Sequence, residues 1–402
     1  MKAAVVKNGS ARFPCAPVPA GLEIIPSPTM YSIALPKGIA SNVTEGQLVV
    51  AGQALCKNPR IGMFASLPGT VEKIRIIDGK SDAMMTAVDI AVTHDAAGTE
   101  SADAPRDAGS DFAGAAKRCD ITFSDGKTAY CVLFVDGDSP KVSNRWCFEK
   151  EYEKSMKALQ LLGTAVGREN LFVVVGRKTA IDKKNRCAEY ATVIETVDAY
   201  PDTLPEILVR KHQALQTRPK VAVIDGYRLV ALAESMTTGR PPLVTLVSLQ
   251  YGGNGKIRLL QVSIGMRIGE LIEKAGITLH DGDQVITGGE LSGTACFNMM
   301  IPVTADTVSV IVIPAAEVSL SQNNACVNCG RCVTACPVQL RVDRIGKCVE
   351  LQMIDQAVEL GVNHCIECGI CSAVCMTCRP LAHLMATGKQ SAASAVEKNG
   401  GC

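Results

Sequence analysis

No run in this 402-residue chain approaches the roughly 18 consecutive apolar residues that a membrane-spanning helix needs. Any membrane attachment is therefore expected to go through a partner. Charge of either sign is not in excess. A formal net charge of +1 leaves no footprint for nucleic acid or for an acidic membrane surface. The first residues, MKAAVVKNGS, lack the apolar core of a secretory signal. The 18 cysteines are thus not expected to form the disulfide framework of a short secreted chain. A reducing, anaerobic cytosol fits them better, and a cytoplasmic location is expected.

What the chain does have is an ordered pair of cysteine runs. Cys326, Cys329, Cys332 and Cys336 are spaced C-x₂-C-x₂-C-x₃-C, with Pro337 next, and Cys365, Cys368, Cys371 and Cys375 repeat the spacing. Zinc sites are usually built from C-x₂-C pairs or from Cys/His mixtures. Two tandem runs of this kind point instead to two [4Fe–4S] clusters. Three thiolates on a tight loop reach three corners of one cube, and the fourth leaves on the next segment. Gly330 and Gly369 directly follow the second cysteine of each run, where a missing Cβ lets backbone N–H groups approach sulfur.

The runs resemble those of two-cluster ferredoxins, in which the fourth cysteine ligates the other cluster. Carried over, one cluster takes Cys326, Cys329, Cys332 and Cys375, and the other takes Cys365, Cys368, Cys371 and Cys336. The second run departs from the pattern: Met376 stands where proline is expected, and Cys378 and Pro380 follow, so Cys378 is an alternative ligand to Cys375.

The length implies about two to four domains. Residues 1–98 read as a β domain, with apolar runs at 32–35, 48–50, 71–77 and 87–92 between Gly, Pro and Asn. The segment E-G-Q-L-V-V-A-G-Q-A-L, with K-N-P-R-I-G-M-F-A-S-L-P-G-T-V after it, resembles a lipoyl-like barrel-sandwich hybrid. Lys57 does not sit between the methionines that flank a carrier lysine, so a docking role is expected. Residues 99–118 read as a linker within an Ala-, Gly-, Ser- and Asp-rich stretch.

Residues 119–216 read as an α/β domain. Strands are expected at 128–134, 171–175 and 192–194, with helices over 145–166 and 205–215. The stripe Trp146, Tyr152, Met156, Leu159, Leu162 and Val166 is read as core. Residues 217–318 alternate strand, helix, hairpin, helix and strands, resembling a β-grasp module of the soluble-ligand-binding (SLBB) type. No convergent charged or aromatic set marks a ligand there. Residues 319–390 form the expected dicluster ferredoxin-like domain. One helix spans its 342–360, with Cys348 buried on it. Residues 391–402 are expected to be a loose tail.

The succession of modules resembles the RnfC family, the C subunits of the Rnf electron transport complex, and related proline-reductase-associated electron-transfer proteins. T-G-G-E-L-S-G-T-A at 287–295, P-V at 302–303 and A-C-V-N-C-G-R-C at 325–332 carry the likeness. The resemblance implies an electron-transfer subunit of a larger oxidoreductase complex. Its partners would be protein redox partners, a ferredoxin or a flavoprotein among them. Flavin- and NADH-binding relatives carry a glycine-rich phosphate loop and an acidic segment. Here D-F-A-G-A-A at 111–116 and V-D-G-D-S-P-K-V at 135–142 stand instead, so FMN and NADH are not expected in this subunit. A self-contained NADH- or flavin-dependent reductase, and an iron–sulfur sensor or scaffold, are the competing readings.

Overall fold

The structure is a computed structural model and describes residues 5–7, 10–57, 63–78, 84–93, 112–119, 121, 128–253, 255–318 and 324–399. It is a mixed α/β protein that ends in a small helical unit carrying both cysteine runs.

One sheet is four-stranded and parallel, in the order Thr192–Thr196, Leu171–Gly176, Thr128–Leu133, Lys220–Asp225. The two middle strands are buried along their whole length because helices cover both faces. Successive residues alternate between those faces. Tyr130, Val132, Val173 and Val175 pack with Leu159, Leu162 and Leu229. Ala129, Cys131, Phe172 and Val174 pack with Leu208 and Leu215.

The 145–166 stripe is two helices, Ser143–Lys150 and Tyr152–Val166, broken at Glu151 (φ −109°). The stripe continues through the break but changes partner. Trp146 and Cys147 meet Val230 and Leu259, whereas Met156 and Leu159 meet the sheet.

A six-stranded sheet runs Thr294–Ala295, Gln284–Thr287, Ser309–Ile313, Val244–Tyr251, Arg258–Ser263, Leu22–Ile24. The helix Ile268–Lys274 closes one face through Ile268, Leu271 and Ile272. A third sheet, Met30–Leu35, Met84–Val92, Gly69–Asp78, Leu48–Val49, is antiparallel with a bulge at Val71/Lys73. Its core of Tyr31, Ile33, Leu35, Val88 and Ile90 also takes in Ile264 and Ala305 from later in the chain.

The strand pairing divides the first 98 residues differently from a single β domain. Ser10–Pro14 pairs with Ala199–Tyr200, and Leu22–Ile24 extends the six-stranded sheet beside Leu259–Gln261. Strands this short gain their hydrogen bonds by joining the open edge of a larger sheet. Of the expected linker, 99–111 lie outside the described residues. Its last part, Phe112–Arg118, is a helix whose Ala115 and Ala116 are buried in the α/β core.

Three expectations in the C-terminal unit are corrected. Val342–Glu350 and Ile354–Glu359 are separate helices, with Gln352 left-handed between them. Cys348 is half-buried rather than buried. The expected loose tail instead continues the helix Leu381–Asn399. Alanine favours helix, and Ala392 seats in the core with Val349 and Met385.

Candidate metal centres

Both cysteine runs fold into the same backbone turn. Asn328 and Gly330 flank Cys329 at φ 54° and 72°, and Glu367 and Gly369 flank Cys368 at φ 53° and 72°. Left-handed residues on either side of the second cysteine curl each loop into a cradle. A single helical turn follows, Arg331–Thr334 or Ile370–Ala373, and carries the third cysteine.

The fourth cysteines cross over. Cys326, Cys329, Cys332 and Cys375 line one cavity, with Asp343, Thr377, Arg379 and Leu381. Cys336 joins Cys365, Cys368 and Cys371 around a second, with Leu340, Val342, Ala382 and Met385. The helix Leu381–Asn399 lines both cavities, and its Lys389 ammonium donates to the Cys365 carbonyl at 2.9 Å. Cys378 is exposed and lies among the lining residues of neither.

The surroundings suit soft, anionic occupants. Backbone N–H groups already point at sulfur: Leu340 donates to Cys336 Sγ and Glu367 to Cys365 Sγ, each at 3.4 Å. In the first cavity the buried Arg379 Nε–H has no acceptor among the described residues. A buried donor without a partner costs about 1–3 kcal/mol, and it lines a space ringed by four thiols. A sulfide-rich cluster there would supply the missing acceptor.

Burial raises the Cys368 thiol to about 11 and Cys371 to about 12. As bare thiols they stay protonated at neutral pH, so iron must displace those protons on binding. For Cys375 burial also pushes upward. The Thr377 hydroxyl, the N–H groups of Arg379 and Thr377 and the Arg379 guanidinium more than offset it, and the thiol ends below its ordinary value. Among the described residues no three Cys, His, Asp or Glu side chains converge to hold a single metal ion. The thiols line cavities instead.

The second centre is tied into the rest of the molecule. Tyr200, itself buried, donates its hydroxyl to the Cys368 carbonyl at 2.7 Å. A Cβ on Gly369 would lie 1.9 Å from the Leu291 carbonyl oxygen, so only glycine permits that approach. Leu291 belongs to the 287–295 motif, which is fastened in turn by Asp138. One Asp138 carboxylate oxygen accepts the N–H of Leu291 and of Ser292, both at 2.7 Å, and the Ser292 hydroxyl at 3.1 Å. Gly289 passes close against that carboxylate, where a Cβ would lie 2.1 Å from it. Burial lifts the Asp138 carboxyl above its usual range, against these donors.

Sequence reasoning missed Asp138, Tyr200 and Arg379. The 287–295 motif was visible as a motif, but the partner of its turn was not. The acidic D-G-D-S-P segment is therefore engaged inside the protein. Asp136, in the same segment, accepts from the N–H groups of Asn144 and Arg145 and pairs with the Arg145 guanidinium at 3.0 Å.

Comparison with known proteins points to the same segment of the chain. The family model described as a 4Fe–4S dicluster domain matches residues 320–376. The C subunit of an "ion-translocating oxidoreductase complex" of Rhodobacter capsulatus is 26% identical over 223 residues, covering 52% of this chain and 43% of that one. Its counterpart from Methanosarcina acetivorans is 31% identical over 129 residues, 32% of this chain and 29% of the relative. The C subunit of the "Na(+)-translocating ferredoxin:NAD(+) oxidoreductase complex" of Acetobacterium woodii is 27% identical over 143 residues, 36% and 32% of the two chains. The matched region thus spans less than half of each of these relatives.

Among solved structures, an NAD+-reducing [NiFe]-hydrogenase in the H2-reduced state shares 12% identity at a TM-score of 0.43. It covers 70% of this chain and 56% of that one, a likeness too slight to bear on fold or activity. The matched domain and the thiol-lined cavities define an iron–sulfur protein. Within that class the chain is RnfC-like: over part of its length it is similar to the C subunits of ion-translocating oxidoreductase complexes.

Proposed function

We propose that this chain is an electron-transfer subunit of a larger oxidoreductase complex, relaying single electrons through two [4Fe–4S] clusters. The observation that carries the reading is the crossed lining of the two cavities, each drawing three thiols from one run and one from the other. Cys326, Cys329, Cys332 and Cys375 would hold one cluster. Cys365, Cys368, Cys371 and Cys336 would hold the other. When bound, each cluster supplies a one-electron redox couple tuned by hydrogen bonds and burial. The protein orients the thiolates through its left-handed loops. Arg379 offers a charged donor to the first site. Leu340, Val342 and Met385 give the second site an apolar wall, and Leu381 lines the first.

The same reading leaves flavin and NADH to a partner. It is supported by the helical Phe112–Arg118 at the position of the relatives' phosphate loop, and by the internal engagement of Asp136 and Asp138. The donor would be a ferredoxin, as the name of the Acetobacterium relative suggests, or a flavin on a partner protein. The antiparallel sheet of 30–92 fits a barrel-sandwich hybrid, and the sheet-and-helix unit of 244–313 fits a β-grasp fold. Both serve as docking modules in this account. Among the described residues no helix is long and apolar enough to cross a membrane. Association with one would run through the partner complex, with the chain on its cytoplasmic face.

Replacing Cys336 by serine tests the crossed assignment. The spectroscopic signal lost should belong to the centre held by Cys365, Cys368 and Cys371. Loss of the centre adjacent in sequence would refute the crossed relay.

A further inference from the structure

The two thiol-lined cavities differ in what lies outside them. Leu291 and Tyr200 press against the loop of the second, at Gly369 and at the Cys368 carbonyl. The first opens into a groove of about 1210 Å³, and Cys326, Asn328, Gly330, Asp343 and Arg379 line both spaces. An occupant of that groove lies against the first centre with no intervening layer of protein.

The groove has a definite charge. Arg341, Arg344 and Lys347 recur every third residue, placing a basic stripe along one side of the helix Val342–Glu350, whose other side is buried through Val342, Ile345 and Val349. The two acidic groups of the groove are already paired, Asp343 with Arg341 at 2.9 Å and Glu350 with Arg379. Arg344 and Lys347 are exposed and form no ion pair among the described residues. The loops of the first centre present bare apolar side chains, Val327 at 61% exposure on the wall of the cavity and Met376 at 58% directly after Cys375. Apolar side chains within a polar rim have the make-up of a protein interface. An ordinary solvated basic face has no reason to share its lining with a redox site.

We propose that this groove is the docking surface for an acidic one-electron carrier protein, which exchanges electrons with the chain through the Cys326–Cys329–Cys332–Cys375 centre. The inference rests on the relay reading above. One electron leaves the reduced centre of the carrier and one arrives at the first cluster, with no bond made or broken. Complementary charge steers such encounters and raises the association rate.

The test uses the full chain purified anaerobically, and the double variant Arg344→Glu/Lys347→Glu. Stopped-flow spectroscopy follows cluster reduction by a reduced acidic ferredoxin and, separately, by dithionite. At low salt the variant should react with ferredoxin about tenfold or more slowly than wild type. The gap should close as salt screens the charges, and the dithionite rates should match. The neutral variant Arg344→Gln/Lys347→Gln should fall between, which guards against misfolding of the charge-reversed protein.

Equal ferredoxin rates alongside normal dithionite reduction would overturn the docking surface and leave the relay standing. Wild-type clusters that dithionite cannot reduce would overturn the relay and this surface with it. Binding of inorganic phosphate or NADH that the variant loses, with ferredoxin rates unmoved, would mark a small-anion site and overturn the proposal.

Discussion

Replacing Asp138 by alanine probes how the second centre is held. The carboxylate accepts two backbone N–H groups at 2.7 Å and a hydroxyl at 3.1 Å, and the side chain is only 3% exposed. Removing it strands the N–H groups of Leu291 and Ser292. Each buried, unsatisfied donor costs about 1–3 kcal/mol, so the pair costs about 2–6 kcal/mol. Relief from burying a carboxylate offsets part of this, and about 2–4 kcal/mol should remain. Asp138→Asn keeps an acceptor and should cost about 1–2 kcal/mol. Leu291 also packs on Gly369, so the alanine variant should release iron from the second centre faster than wild type, with the first unaffected. The assay is anaerobic denaturant unfolding paired with iron release to a chelator. A stability within about 0.5 kcal/mol of wild type, with unchanged release, would refute the proposed interlock.

Three further outcomes follow from the same geometry. Cys375→Ser should abolish the first centre while Cys378→Ser leaves both intact, read by electron paramagnetic resonance of the reduced protein; the opposite pattern would make Cys378 the ligand. Burial lifts Asp136 to about 6, against the Arg145 guanidinium and the N–H groups of Arg145 and Asn144. Its folded value lies above the unfolded one of about 3.9, so its contribution is full below that pH and lost as pH rises through about 6. Asp136→Asn should therefore lose less stability than wild type between pH 4 and 7, and parallel thermal-unfolding profiles would contradict this. The purified chain should carry no stoichiometric FMN and show no NADH-dependent dye reduction; rapid reduction of its clusters by NADH alone would promote the reductase reading.

The cysteine runs were legible because ligand spacing is a local property, set by the reach of a few residues. The strand at 171–176 was legible for a similar reason, since a strand covered on both faces must be apolar throughout. Other features depend on partners distant in the chain. Asp138 looks like any turn residue in D-G-D-S-P until Leu291 and Ser292 arrive from about 150 positions away. Leu22–Ile24 has too little apolar surface to declare its sheet and is defined by the edge it joins. The helices broken at Glu151 and Gln352 read as continuous because their stripes persist while the surfaces they meet change. The tail composition of Ala, Ser and Gly resembles a linker, yet one buried face through Gly388 and Ala392 makes it a helix.

The central claim is that two clusters, not zinc, occupy the crossed thiol sites. Metal and acid-labile sulfide analysis of the anaerobically purified full chain tests it most directly. The account predicts about eight iron and eight sulfide per chain, four of each for every cubane. Stoichiometric zinc with no labile sulfide would contradict it.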